Sequence, residues 1–324
     1  MRTHMLKFTL AALLGFSAAA LAEGAAQPMG NLQPRAAEMA RLSDKNLLLG
    51  LSKAGDQLVA VGDRGTVLLS ADGTQWQQMP APVHATLTAV SFADGKNGWI
   101  GGHDSTILHT DDGGQTWKLQ SFNAKDSKPV LGVLALDAQR AYAVGAYGMF
   151  LSTIDAGATW SPVVAPAILQ DGLHLNAMIK LNNGDLFLAG ETGLAGVLDN
   201  GQTWRRLKLP YDGSLFGALP RGERGALVFG LRGNVFATSD VRSNAWTRIN
   251  TGTVQSFYSG TILPSGDALL VGADGAVLLV GADNKARLAS SNDTGASYAA
   301  VLPWKDGLLV TSELGIGRIA TPGK

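Results

Sequence analysis

A repeat of about 42 residues constrains this chain more than any other feature. Five of its seven tryptophans keep that period, at Trp76, Trp117, Trp160, Trp204 and Trp246. An apolar strand ending in a small residue keeps the same period: Val61-Gly62, Gly101-Gly102, Val144-Gly145, Ala189-Gly190, Phe229-Gly230, Val271-Gly272 and, in the seventh place, Thr311-Ser312. Such a period is typical of a four-stranded propeller blade. The sequence therefore predicts an all-β, seven-bladed β-propeller.

One repeat divides clearly into four strands. Leu87–Phe92 and Gly98–Gly101 are apolar, and Thr106–Thr110 and Thr116–Gln120 follow after turns that contain glycine. Each strand has about five residues, a common length. The 41 glycines of the chain suit the many tight turns that this arrangement needs. Because one blade cannot bury both of its faces alone, we expect neighbouring blades to cover them around an axis.

The N-terminus has the three parts of a secretory signal. Arg2, His4 and Lys7 precede an apolar stretch, Phe8–Ala22, which ends in Ala-Leu-Ala. We expect cleavage after Ala22, because the stretch is shorter than the roughly 20 residues that span a bilayer. An uncleaved anchor is the alternative. The signal predicts an exported protein, periplasmic or secreted, with no direct membrane span after cleavage.

The last repeat is incomplete. It has three strands, Tyr298–Leu302, Gly307–Thr311 and Ile316–Ala320, and no fourth. The segment Pro28–Leu42 has no place in blade one, so we expect part of it to supply the missing strand and close the ring, which would protect an open edge. A tail that pairs with nothing is the alternative. The predicted organisation is a signal at 1–22, an N-terminal segment at 23–43 and a propeller at 44–324.

A motif of the form S/T-x-D-x-G-x-T-W, the Asp box, marks the turn between the third and fourth strands. Thr110–Trp117 and Thr153–Trp160 match it, and Ser70–Trp76, Val197–Trp204 and Thr238–Trp246 are degenerate copies. The aspartate can accept hydrogen bonds from its own turn, and the tryptophan can fill the space between blades. We therefore predict a structural role, rather than metal binding or acid catalysis, for Asp72, Trp76, Asp112, Trp117, Asp155, Trp160, Asp199 and Trp204.

The stretch Val61–Trp76 reads V-G-x-R-G-x-[VIL]-L-x-S-x-D-G-x-x-W. This pattern resembles the photosystem II stability/assembly factor family, within the wider BNR/Asp-box propellers, over roughly residues 44–320. The resemblance implies a non-enzymatic lumenal or periplasmic factor that binds assembly intermediates of membrane proteins. Bacteria without photosynthesis also carry similar propellers, and some of these have membrane export systems as neighbours. The implied partner is a membrane protein or an envelope complex.

Sialidases share Asp boxes and are the main enzymatic alternative. Their chemistry needs three arginines, a tyrosine with a glutamate beside it and an acidic proton donor near the axis. The expected inner strands contain no arginine and no acid: Asn46–Leu51, Leu87–Phe92, Val130–Leu134, Leu175–Lys180, Leu215–Leu219, Ser256–Leu263 and Tyr298–Leu302. The chain has no cysteine and no pair of histidines at zinc-binding spacing. We expect no catalytic residue, metal or cofactor.

Charge is balanced, with 26 basic and 26 acidic residues. A nucleic-acid binder needs a basic stripe to displace counterions, and the sequence has none. We therefore expect a protein partner rather than a nucleic acid.

The face that carries the turns between second and third strands is the best candidate for partner binding. In a propeller these turns share a face with the connections between blades, and functional residues sit on such loops. The candidates are Arg64, His103, Tyr147, Glu191, Arg232, Asp274 and Tyr258, with Phe216 and Phe257 beside them. They predict a binding or scaffold protein that assists the assembly or operation of a membrane complex or transport system. The alternatives are a sugar- or small-ligand-binding propeller and a sialidase-like hydrolase.

Overall fold

The computed structural model describes residues 33–199, 201–290 and 294–322, which form one compact unit. Seven antiparallel sheets follow one another along the chain, one for each repeat. Six sheets have four strands, and the seventh has three in the described part of the chain. The predicted seven-bladed, all-β propeller is confirmed. The predicted signal, residues 1–22, lies outside the described residues.

The first three blades comprise twelve strands: β1 (Leu48–Ala54), β2 (Gln57–Gly62), β3 (Val67–Ser70), β4 (Gln77–Met79), β5 (Leu87–Phe92), β6 (Gly98–Gly102), β7 (Ile107–Thr110), β8 (Lys118–Ser121), β9 (Val130–Ala135), β10 (Ala141–Gly145), β11 (Phe150–Thr153) and β12 (Ser161–Pro162). A single helical turn, α1 (Pro166–Leu169), lies in the connection to blade four.

Blades four to seven comprise β13 (Leu175–Lys180), β14 (Leu186–Gly190), β15 (Ala195–Asp199), β16 (Thr203–Leu207), β17 (Leu215–Arg221), β18 (Gly225–Gly230), β19 (Val235–Thr238), β20 (Thr247–Ile249), β21 (Phe257–Ile262), β22 (Ala268–Gly272), β23 (Val277–Val280), β24 (Ala286–Ser290), β25 (Tyr298–Trp304), β26 (Gly307–Ser312) and β27 (Gly315–Ile319). No helix in the described ranges is long and apolar enough to cross a membrane.

The antiparallel order of each blade gives the ring two distinct faces. The turns between second and third strands meet the connections between blades, and we call this side the connection face. The turns between first and second strands share the other side with the Asp boxes, and we call it the Asp-box face. Lys305 lies in the turn between the first and second strands of blade seven, and its ammonium donates to the carbonyl oxygen of Asp72, in the Asp box of blade one, at 3.3 Å. This hydrogen bond places the two kinds of turn on the same face.

The core lies between blades, and it is tightest beside the axis. Every inner strand has a β-bulge near its start. After the bulge each inner strand carries a small residue: Gly50, Ala89, Gly132, Ala177, Gly217, Ser259 and Ala300. A Cβ on Gly50 would lie 2.9 Å from Val61 Cγ2 and 3.3 Å from Val90 Cγ1 of blade two. Small residues at this position therefore allow neighbouring blades to approach closely.

The Asp boxes form local hydrogen-bonded turns. In blade two, Asp112 accepts from the Thr116 amide at 2.9 Å, from the Thr116 hydroxyl at 2.6 Å and from the Thr110 hydroxyl at 2.8 Å. Asp155 makes the equivalent bonds in blade three, and Asp72 accepts from two amides of its shorter turn. The side chain of Asp199 lies outside the described part. The turns satisfy backbone donors, as an Asx turn does.

The Asp-box tryptophans pack against the preceding blade. Trp204 meets Phe150 of blade three edge-on, with ring centroids 5.1 Å apart, and Trp117 lies in the apolar layer between blades one and two. Trp160 donates from Nε1 to the Gln120 side-chain oxygen of blade two at 3.1 Å. The Gln120 amide in turn donates to a carbonyl of the blade-three Asp box at 2.6 Å. Gly157 of that box has φ +81°, and a Cβ there would collide with Gln120.

Closure of the ring by an N-terminal strand is not confirmed. Residues 33–42 form no strand, and residues 28–32 lie outside the described part. The segment instead lies along the outer strand of blade one: the Gln78 side chain accepts from the Ala40 amide at 2.8 Å and donates to the Glu38 carbonyl at 3.0 Å. The Ala37 amide also donates to the Ala81 carbonyl of blade one at 3.0 Å, and no strand pairs with the outer edge of blade seven within the described residues.

Blade seven meets blade one through side-chain and turn contacts. Trp304 donates from Nε1 to the Asp72 carbonyl oxygen at 2.9 Å and packs against Gly73 of the same Asp box. The ammonium of Lys53 lies 5.5 Å from the Trp304 ring centre. On the connection face, Gly315 has φ +92°, and a Cβ there would collide with the Asp44 carbonyl. These contacts take the place of a shared strand.

We predict that Asp112→Ala lowers the free energy of unfolding by about 1 kcal/mol, because it removes acceptors for the Thr116 amide and hydroxyl. Asp111→Ala is the matched control, since Asp111 lies in the same turn but only pairs with exposed Lys118. Urea unfolding measures both variants. Equal losses would show that the Asp112 carboxylate does not stabilise the turn.

We predict that Trp304→Phe lowers the free energy of unfolding by about 1 kcal/mol, because it deletes the hydrogen bond that joins blade seven to blade one. Trp246→Phe is the control: the Trp246 Nε1 is buried and has no hydrogen-bond partner among the described residues, so its removal should cost little. Denaturant titration of the two variants separates these effects. A Trp304→Phe variant as stable as the control would exclude a role for this bond in closure.

Acid should destabilise the protein through its turn carboxylates. The amides of Gln75 and Thr74 hold the pKa of Asp72 far below its ordinary 3.8, and the Thr159 amide lowers that of Asp155. Because folding lowers these pKa values, their contribution is complete above about pH 4 and is lost as the pH falls toward the folded values. We expect the free energy of unfolding to fall steeply below pH 4, with a shallower fall in Asp72→Asn. An unchanged slope in that variant would contradict this.

Candidate functional site

Backbone hydrogen bonds hold the connection face together. In blade one, the Asp63 amide donates to the Leu47 carbonyl before β1, at 2.9 Å, and the Gly65 amide donates to the Ala85 carbonyl after the blade, at 3.0 Å. Other blades repeat one or both bonds. The middle residue of the turn is left-handed, with φ 54° at Arg64 and 56° at Arg232. The turns and connections therefore form one continuous surface.

Arg64, His103, Tyr147, Glu191, Arg232, Asp274 and Tyr258 all lie on this face, although not in one cluster. His103 and Asp274 are exposed at separate turns. Arg64 is also exposed, and its guanidinium lies 3.6 Å from the Asp63 carboxylate. The Asp63 carboxylate also accepts from the Thr86 hydroxyl at 3.0 Å. The positive charge of Arg64 is thus partly balanced within its own turn.

Tyr147 and Glu191 meet at His174. The rings of Tyr147 and His174 are edge-on, 4.9 Å apart, and the Glu191 carboxylate accepts from the His174 amide at 3.2 Å. The same carboxylate lies 4.0 Å from His174 Nδ1. This cluster joins the turns of blades three and four. The carboxylate of half-buried Glu191 is engaged by His174 inside the cluster.

Arg232 lines an open groove of about 790 Å³ with a second arginine, Arg248. The groove continues along residues 249–254, ending at Val254, which is 81% exposed. Arg248 donates to the Asn234 side-chain oxygen at 3.0 Å. Neither guanidinium pairs with a carboxylate of the described residues, and no acidic residue lines the groove. Two cations therefore face solvent together.

Tyr211 lies close enough to Arg232 and Arg248 for both positive charges to affect its pKa. Burial raises the pKa of Tyr211, against the opposing positive charges of Arg232 and Arg248. Its hydroxyl donates to the Leu231 carbonyl at 3.2 Å. The phenol therefore stays neutral near pH 7 and buttresses the turn that carries Arg232.

Phe216 and Tyr258 lie closer to the axis, with ring centroids 5.6 Å apart. Tyr258 is 39% exposed, whereas Phe257 is fully buried in the core between blades five and six. The expectation that Phe257 lies on this surface is wrong, because the β-bulge turns Tyr258 outward and Phe257 inward. The Ser256 hydroxyl accepts from the Arg232 amide at 3.1 Å and links the pair to the groove.

Arg248 was not among the residues predicted for this face. A signal exists: Arg248 stands two residues after the tryptophan of its repeat, as Arg206 does after Trp204. The two positions share the same register on the outer strand. Arg206 differs because its guanidinium is paired with the Asp171 carboxylate at 2.5 Å. Only the structure distinguishes the two arginines.

One inner strand extends beyond its predicted end and contains an arginine. β17 extends to Arg221, which corrects the expectation that no inner strand carries one. Arg221 donates to the carbonyls of Gly281 and Ala282 at 2.9 and 2.7 Å, on the Asp-box face, and ties blade five to blade six. Burial lowers its pKa. In the described ranges, no three His, Asp or Glu side chains are placed to hold a metal ion.

Solved structures share this fold at low sequence identity. YCF48 bound to D1 peptide matches with a TM-score of 0.68 at 19% identity, covering 86% of this chain and 94% of that one. Virginiamycin B lyase from Staphylococcus aureus matches with a TM-score of 0.65 at 9% identity, covering 88% and 98%. At these identities the likeness concerns the propeller fold.

Sequence comparison is more specific. Photosystem II assembly lipoprotein Ycf48 of Synechococcus sp. (strain CC9902) is 26% identical in an alignment of 233 residues that covers 65% of this chain and 63% of that protein. The chain thus spans a little under two thirds of that relative. The family model described as Photosynthesis system II assembly factor YCF48 matches residues 68–291, well over half of the chain. The chain belongs to this family of assembly-factor propellers.

Proposed function

We propose that this protein is an exported, non-enzymatic binding protein whose connection face holds an acidic segment of a membrane-protein partner during assembly or operation of that complex. The observation that carries the proposal is the groove where Arg232 and Arg248 face solvent without a carboxylate. A guanidinium can bind a carboxylate through two parallel hydrogen bonds. Arginine is also among the residue types that dominate interface energies.

The comparisons support the nature of the partner. The family model names an assembly factor, and one structure of the same fold holds a D1 peptide. The Synechococcus relative is named a lipoprotein, whereas this sequence contains no cysteine. For this chain we therefore propose a periplasmic or secreted factor with a signal at residues 1–22. Its partner need not be a photosystem.

A second candidate function is the binding of a small anionic ligand or sugar. The groove of about 790 Å³ has the size of small-molecule sites, and the propeller fold also occurs in a lyase. Its open form, with lining residues along one strand and one connection, suits an extended segment better. A ligand that stabilises the purified protein in the absence of any protein partner would favour this second function.

We predict that the double variant Arg64→Ala with Arg232→Ala recovers about tenfold less of its membrane partner than the wild type. Loss of one charge-assisted interaction of about 1.4 kcal/mol gives a change of that size. The assay is crosslinking of the tagged protein to native membranes, followed by quantitative mass spectrometry. Arg232→Lys should already weaken recovery, because lysine lacks the two-point geometry.

The matched control is Lys118→Ala with Arg140→Ala. It removes the same charge from the Asp-box face, where both cations are exposed and paired with neighbouring aspartates. We expect wild-type recovery from this control. Equal recovery by both double variants would exclude Arg64 and Arg232 as residues of the binding site.

A further inference from the structure

Exposed apolar side chains are concentrated on the connection face. Among the large hydrophobic residues that the structure shows to be exposed, most lie on its turns or connections: Leu42, Leu47, Tyr147, Val164, Leu231, Val254, Tyr258 and Leu314. Met39, Ile154, Ile262 and Leu288 lie elsewhere. Apolar groups gathered on one side of a protein mark an interaction surface. The face therefore offers apolar contacts beside its charges.

Blades five and six differ from the other blades at the bulge of the inner strand. The bulge residues of the seven blades are Leu49, Thr88, Leu131, Asn176, Phe216, Tyr258 and Ala299. Two of the polar ones are bonded to the next blade: Thr88 to the Val130 carbonyl at 2.5 Å, and Asn176 to the Leu215 carbonyl at 2.8 Å. Phe216 and Tyr258 instead form an aromatic pair of adjacent blades on the connection face.

The aromatic pair and the arginine groove lie on one path. Val254 borders the groove, and the chain runs from it through Ser256, which accepts from the Arg232 amide, to Tyr258. Four residues span at most about 14 Å. An extended peptide of four to five residues covers the same distance. One short segment can thus contact the cations and the aromatic rings together.

We propose that blades five and six bind an extended peptide segment in which a carboxylate side chain is followed, about four residues away, by an aromatic or large aliphatic side chain. The carboxylate pairs with Arg232 and Arg248, and the apolar side chain packs on Phe216 and Tyr258 past Val254. Charge complementarity selects the acid, because the groove is lined by two arginines and no acid. This inference rests on the proposed function and adds to it the chemistry of the bound segment.

The test uses labelled seven-residue glycine-serine peptides with the full exported chain. One peptide carries glutamate and phenylalanine four positions apart, a second has alanine for phenylalanine, and a third has glutamine for glutamate. Fluorescence anisotropy measures each dissociation constant. On the wild type we expect each replacement to weaken binding at least fivefold. Higher salt should reduce the glutamate preference and leave the phenylalanine preference unchanged.

Variants assign each preference to its residues. Tyr258→Ala and Phe216→Leu should each abolish the preference for phenylalanine and keep the preference for glutamate. Arg232→Ala should abolish the preference for glutamate and keep the preference for phenylalanine. Tyr147→Ala is the control, because Tyr147 is an even more exposed aromatic residue of the same face, 65% against 39%. Thermal melting confirms that each variant is folded.

The outcomes separate the two proposals. A glutamate preference that depends on Arg232, with no phenylalanine preference, overturns this inference and leaves the proposed function standing. A phenylalanine preference that survives both aromatic variants, or that is lost in Tyr147→Ala, also overturns the inference. Absence of any glutamate preference overturns both.

Discussion

The propeller depends on how closely neighbouring blades approach each other beside the axis. Glycine, alanine or serine occupies the same inner-strand position in all seven blades, and at Gly50 even a methyl group would crowd Val61 and Val90. Because protein interiors are close-packed, a larger side chain would move a whole blade. Displacements of individual blades would add up around the ring and would be largest where blade seven meets blade one. That junction has no shared strand in the described residues, so Trp304 and Gly315 must fit closely.

The Asp boxes also help to fix the distance between neighbouring blades. Asp72, Asp112 and Asp155 each satisfy donors of their own turns. The turn then sets the position from which a tryptophan reaches the preceding blade. Blade five shows which part of the motif matters most. Its box is degenerate, yet Asp240 still accepts from the Arg242 amide at 2.9 Å, and Trp246 still faces Phe187 of blade four at 6.2 Å. The contact between blades survives even where the motif between its ends has changed.

The repeat made the blades predictable, whereas exceptions to local rules were not. Leu87–Phe92 and Leu175–Lys180 have the predicted bounds, because their apolar runs end at clear turns. β17 continues past its predicted end at Leu219, through Pro220 to Arg221. Phe257 was predicted to lie at the surface but is buried, because a β-bulge shifts the alternation of inward and outward side chains by one residue. The N-terminal segment was assigned to blade seven because sequence shows that an edge is open, but not that Gln78 of blade one supplies competing hydrogen bonds.

The connection face separates what the fold fixes from what can vary. Its turns are held by backbone amides and carbonyls, which any residue supplies, so their side chains can differ without loss of the scaffold. Gly62-Asp63-Arg64-Gly65 and Gly230-Leu231-Arg232-Gly233 show the result. The aspartate of the first turn balances its arginine, whereas leucine in the second cannot, and Arg248 adds a second charge beside it. Two turns of the same form thus differ in electrostatics, and this difference is why the proposed recognition site lies in one sector of a nearly symmetric ring.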